Sequence, residues 1–199
     1  PETLMCYLMI DPARSKKKGS ANTAMAVIGI DFQGNKYLLD GYDHKMDLLE
    51  RWTHMRDLWR KWRVAPGIVG IKVGYERFGA IADMDYFEER IRTENVQGLS
   101  IDPLEWPHDS PGSKDDRVQR LLPDIRNHAF FLPREPEDDE PDLSPQQVRM
   151  IAQGYDYRIA KPIVYRDENG QLYNLSERLK MQVAYYPFCG LKDLIDAVS

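Results

Sequence analysis

Three acidic elements hold the side chains of this sequence best suited to chemistry. Asp11 follows the apolar run Leu4-Met5-Cys6-Tyr7-Leu8-Met9-Ile10 and precedes Pro12. Such a run reads as a buried strand, and its terminal aspartate points a carboxylate out of a sheet edge, where α/β proteins place reactive groups. Alone, an Asp-Pro pair is a turn signal. Glu76 ends a second apolar run, Ile68 to Tyr75, and alone would be a glutamate stabilised by the dipole of the helix that follows. Asp193 and Asp196 stand three apart near the C-terminal end, a spacing that puts both on one helix face while Leu194, Ile195 and Val198 pack on the core. A single such pair is ordinary surface; three acidic elements in this arrangement are much harder to obtain by chance. An all-carboxylate site without ligating Cys or His suits Mg²⁺ or Mn²⁺, which keep waters and take phosphate oxygens as further ligands.

The elements between them position these groups. After Asp11 comes the loop Arg14-Ser15-Lys16-Lys17-Lys18-Gly19-Ser20, then the apolar run Ala24 to Ile30, a turn at Gln33-Gly34-Asn35 and a second run from Tyr37 to Leu39. This pattern predicts three antiparallel strands in succession. Met46, Leu49, Trp52, Met55, Leu58, Trp59 and Trp62 recur at helical steps, predicting a helix over 46–62 whose tryptophans pack on a sheet rather than stack on bases. That helix makes a crossover, so the strand from Ile68 to Tyr75 is expected parallel to the first. Glu76 then falls at the same sheet edge as Asp11. Lys72 shares a strand face with Glu76, and a cation buried there needs a carboxylate or a phosphate.

Further on, the pattern predicts a helix over 80–92, a fifth strand over 96–101 and a loop from Asp102 to Gly112. A helix opens at Ser113-Lys114-Asp115-Asp116-Arg117, where Asp115 and Asp116 read as dipole-complementing first-turn acids rather than metal ligands. Lys114 and Arg117 are candidates for phosphate contacts. A short strand over 129–132, a helix from Ser144 to Gly154, a hairpin over 162–173 turning at Asn169-Gly170 and a helix over 175–186 complete the reading.

Composition sets the limits. With 199 residues and 42% hydrophobic content, the chain can bury the core of one domain. No apolar run approaches ~20 residues and no signal peptide opens the chain, so the cytoplasm is the default location and no membrane is involved. Cys6 and Cys189 are too few and too core-like for a disulfide framework or a zinc site. The net charge of −5 argues against indiscriminate nucleic-acid binding, but the deficit is concentrated in the acidic segment 135–142, which leaves the remainder close to neutral. The chain starts without methionine at a strand needing almost no lead-in, which suggests a single domain cut from a longer protein.

A strand ending in aspartate, a basic loop and a hairpin is how a ribonuclease H-like sheet begins. The sequence resembles a family of that fold: the C-terminal nuclease domain of the large terminase subunit of tailed bacteriophages. The resemblance covers nearly the whole chain. It rests on Met9-Ile10-Asp11-Pro12-Ala13 with its Lys/Ser/Gly loop and Thr23-Ala24, on Gly74-Tyr75-Glu76-Arg77-Phe78-Gly79, on Ser113-Lys114 with Arg117, and on Lys192-Asp193-Leu194-Ile195-Asp196-Ala197. It implies a mixed central sheet, three antiparallel strands then parallel ones, flanked by helices and carrying an extra β-hairpin. It also implies an endonuclease that cuts concatemeric viral double-stranded DNA during genome packaging, with Asp11, Glu76, Asp193 and Asp196 as metal ligands. Its implied partners are an ATPase domain, a portal and a small terminase subunit. Ala21 departs from the family, whose members often have an aspartate there. No Gly-x-x-x-x-Gly-Lys-[Ser/Thr] occurs, so this chain alone is not expected to translocate DNA.

Such a ligand set suits two ions, one generating hydroxide and the other stabilising the leaving 3′ oxygen, with Asp11 bridging. Lys16, Lys17, Lys18, Lys72, Lys114 and Arg117 are candidate DNA-backbone contacts without base readout. A sugar-kinase or actin-like ATPase shares the opening strands but would need an Asp-x-Gly-Gly loop, which is absent. A Holliday-junction resolvase shares the acidic geometry, and a catalytically silent DNA-binding or docking module is the non-enzyme alternative.

Overall fold

The computed structural model describes residues 3–13, 21–76, 81–104, 113–133, 162–189 and 192–199. β1 (Leu4–Asp11), β2 (Thr23–Ile30) and β3 (Lys36–His44) form the antiparallel start of a six-stranded sheet. α1 (Leu48–Arg63) crosses over to β4 (Ile68–Glu76), which runs parallel to β1. After α2 (Ile81–Thr93), β5 (Ile101–Leu104) adds in parallel to β4. α3 (Ser113–Arg126) leads to β6 (Phe130–Phe131), parallel to β3, and the strand order is β5-β4-β1-β2-β3-β6. β7 (Val164–Arg166) and β8 (Leu172–Asn174) form a separate hairpin, followed by α4 (Leu175–Tyr185) and α5 (Asp193–Val198). This is the ribonuclease H-like mixed sheet with an extra hairpin that the sequence implied.

Each face of the sheet has its own core. Leu4, Cys6, Leu8 and Ile10 of β1 point to one side, where Trp52, Met55, Leu58 and Trp59 of α1 and Phe87 of α2 cover them. Burial pushes the Cys6 thiol up to about 11, so it packs as a small apolar side chain. The tryptophan stripe is thus a packing surface, with Trp52 fully buried. Asp47 caps α1 by accepting from the Glu50 N–H while the Glu50 carboxylate accepts from the Asp47 N–H, which starts the helix at Leu48 rather than Met46. On the opposite face Ala24, Ala26, Ile28 and Leu38 meet Val118 and Leu121 of α3, Leu175 and Leu179 of α4 and Leu194 and Ile195 of α5. Two alanines on β2 let a helix approach this face closely.

Two sequence expectations are corrected. The strand expected over 96–101 begins only at Ile101, and Asp102 to Leu104, read as loop, belong to it. Asn95 and Gly98 hold φ values of 50 and 83, which extended chain cannot adopt; Val96 and Leu99 are buried from a turn instead. Pro103 is tolerated because β5 is an edge strand. The second correction is the hairpin turn, a five-residue loop in which the Asp167 carboxylate accepts from the Asn169 and Gln171 N–H groups. Asp31 closes the β2–β3 loop in the same way, accepting from Gln33 and Asn35, and glycine supplies the positive φ in both, at Gly34 and Gly170. The acidic segment 135–142 and the helix expected over 144–154 lie outside the described residues.

Candidate metal centre

Register alone brings the first two carboxylates together. Ile10 pairs with Tyr75 across the parallel β1–β4 ladder, so the next residues, Asp11 and Glu76, end neighbouring strands side by side. Their parity directs both to the face covered by α3, α4 and α5, because Asp11 pairs with Ala24 of that core. Glu76 is buried and Asp11 half-buried.

α5 brings the other pair to this face by packing across β1 and β2. Leu194 and Ile195 are fully buried, and Asp193 and Asp196 are themselves only 8% and 5% exposed. These aspartates are therefore not ordinary surface. The Asn22 N–H, just before β2, donates to Asp193 Oδ2 at 2.7 Å, which ties the last helix to the strand paired with Asp11.

A carboxylate that the sequence reading passed over joins them. Asp43 of β3 pairs with Ala24, so Glu76, Asp11, Ala24 and Asp43 form one row across four strands. Its orientation depends on a β-bulge. Ile28 pairs with Leu38 but Val27 with Asp40, leaving Leu39 as an extra residue that shifts the parity of everything after it. Strict alternation from Leu38 would send Asp43 to the other face. Gly41, at φ 153, makes the bulge possible: a Cβ there would lie 2.1 Å from the Met25 carbonyl oxygen.

Asp43 is held from several sides. Asn22 Nδ2 donates to its Oδ1 at 3.1 Å and Gln182 Nε2 to its Oδ2 at 3.4 Å. Arg178 donates to its backbone carbonyl and stands 3.6 Å from Oδ2, over the Tyr173 ring at 3.7 Å. Burial pushes the Asp43 carboxyl up to about 6; the Asn22 hydrogen bond and Arg178 counter this, while the charge of Asp193 adds to it.

Of the basic candidates, only the Lys72 side chain is among the described residues. Lys72 lies on the same strand as Glu76 with the expected parity, but its side chain is exposed. Water therefore solvates the ammonium, and the buried cation anticipated there is not formed. Lys16, Lys17 and Lys18 lie outside the described residues, as do the side chains of Lys114 and Arg117 in the first turn of α3.

The carboxylates on this face offer oxygen donors only, the donor chemistry that a hard divalent cation takes. Among the described residues, no three His, Cys, Asp or Glu side chains are drawn together into a cage able to hold a metal ion. The backbone thus sets the carboxylates on one face without closing coordination around a point.

No family model matches the sequence, and no curated protein does. Solved structures share the fold. The chain is similar to the human cytomegalovirus terminase nuclease domain, Mn-soaked and inhibitor-bound, at 14% identity and a TM-score of 0.56, over 99% of this chain and 80% of that one. The Mn-soaked structure of that domain matches at 15% identity and a TM-score of 0.50, over 99% and 79%. The chain therefore has the fold of a terminase nuclease domain.

Proposed function

We propose that this chain is a divalent-metal-dependent DNA endonuclease, the nuclease part of a viral genome-packaging protein. The observation that carries the reading is that Asp11 and Glu76 end neighbouring strands on the face of a ribonuclease H-like sheet across which the helix bearing Asp193 and Asp196 packs. Mn soaking of the cytomegalovirus domain supports divalent-metal use. Here Asp11, Glu76, Asp193 and Asp196 would hold two Mg²⁺ or Mn²⁺ ions through carboxylate oxygens. Bound divalent ions supply an activated water and charge compensation at a scissile phosphate.

The protein's own contribution is orientation. Strand register sets the backbones of Asp11 and Glu76 side by side, and the Asn22 N–H orients the Asp193 carboxylate, so part of the arrangement is in place before phosphate enters. No base-reading element is needed, which suits cutting of concatemeric DNA with little sequence preference. An ATPase motor, a portal and a small terminase subunit would be the partners of the whole protein. The test is incubation of the chain with supercoiled plasmid in Mn²⁺, Mg²⁺ or EDTA beside Asp11→Asn. Metal-dependent nicking and linearisation, lost in the variant at equal thermal stability, is the expected outcome. A folded wild type that binds DNA but cuts under neither metal would make this a docking module instead, and preference for four-way junctions would make it a resolvase.

A further inference from the structure

Asp43 has no place in the ligand set, yet its carboxylate joins two segments that carry that set. Through Oδ1 it holds the Asn22 side chain, whose own backbone N–H holds Asp193 Oδ2. Through Oδ2 it holds Gln182 of α4, whose Oε1 accepts the Ile195 N–H in the first turn of α5. The α5 backbone and the Asp193 carboxylate are thus both referred to a single strand residue. Asn22 and Gln182 are buried at 8% and 6% exposure, so water competes little for these bonds. Resting on the metal-nuclease reading above, we infer that Asp43 is a positioning residue: it sets α5, and with it Asp193 and Asp196, against Asp11 and Glu76.

The network makes the inference testable by swapping acceptor and donor. In Asp43→Asn one of the two oxygens becomes an amide, so a donor faces the donor of Asn22 or Gln182. In Asp43→Asn/Gln182→Glu the introduced carboxylate accepts both the introduced amide and the Ile195 N–H, and a carboxylate stays beside Arg178. Metal-free chain would be followed by amide hydrogen exchange at Asn22 and Ile195. Mn²⁺ affinity would be measured by calorimetry, and plasmid cutting resolved into kcat and KM for DNA.

The single variant should lose protection at both amides, bind Mn²⁺ about 10- to 100-fold more weakly and lose kcat with KM for DNA unchanged; the double variant should recover most of each. A folded single variant with wild-type exchange and affinity overturns the positioning role while leaving the nuclease reading intact. A double variant that stays as impaired as the single, at equal thermal stability, also overturns it, since Asp43 would then act through its own charge. If the wild type takes up no Mn²⁺, both readings fall together.

Discussion

At the scale of single residues, the buried carboxylates set function against stability. Glu76, Asp193 and Asp196 are almost wholly shielded from water, and like charges brought to one face repel in a medium that screens them weakly. Glu76→Gln keeps the shape of the side chain and removes one charge. Its melting temperature should equal or exceed that of the wild type, while metal-dependent cutting falls about 10³-fold, the loss of several kcal/mol of transition-state stabilisation. Calorimetric melting in EDTA beside a plasmid assay in Mn²⁺ checks both halves. A variant that melts much earlier would show that Glu76 holds the end of β4 together instead of serving a metal.

At the scale of elements, the bulge in β3 decides which face Asp43 occupies, and Gly41 decides whether the bulge exists. In Gly41→Ala the new Cβ would collide with the Met25 carbonyl and press on Leu175, in a φ region that disfavours side chains; about 3 kcal/mol of stability should be lost. Gly34→Ala and Gly170→Ala also sit at positive φ but have open space around them, so each should cost only about 1 kcal/mol. Urea unfolding of the three variants measures the contrast, and equal costs would mean that the close approach at Gly41 relaxes freely. The same bulge explains what could be read in the sequence. Asp11 and Glu76 were legible because an apolar run fixes where a strand ends, and a helical crossover fixes that β4 runs parallel to β1. Asp193 and Asp196 were legible from their spacing among Leu194, Ile195 and Val198. Asp43 was not, because an extra residue at Leu39 breaks the alternation that tells one face of a strand from the other. The start of β5 was missed for a related reason: Val96 and Leu99 are apolar and buried, but turns at Asn95 and Gly98 bury them, and the apolar pattern there does not distinguish a strand from a buried turn.

At the scale of the whole molecule, His44 couples three parts of the structure to pH. It ends β3 beside Asp43, faces the His54 ring of α1 at 5.6 Å and hydrogen-bonds through Nδ1 to the Tyr173 hydroxyl of the hairpin at 3.0 Å. That hydroxyl also accepts the Asp43 N–H, so one side chain of the hairpin ties the last two residues of β3 together. Burial, reinforced by repulsion from His54, lowers the His44 pKa to about 4, against smaller opposing pulls from Glu168 and Glu50. Between pH 6.5 and 4 the unfolded chain therefore binds the proton more readily than the folded one. Stability contributed by neutral His44 is present above pH 6.5 and is lost as pH falls towards 4, with a slope below about 1.4 kcal/mol per pH unit. Asp43 contributes with the opposite sign. Its carboxyl, raised to about 6, keeps a proton in the folded state that the unfolded chain releases, so its contribution declines as pH rises through that window. The two partly cancel, and the pH profile of the wild type understates each. His44→Gln retains an acceptor for the Tyr173 hydroxyl but cannot titrate. Urea unfolding at pH 7.5 and 4.5 should then show the wild type losing more stability on acidification than the variant; parallel losses would mean that His44 takes up its proton in place, without cost to the packing of α1, β3 and the hairpin.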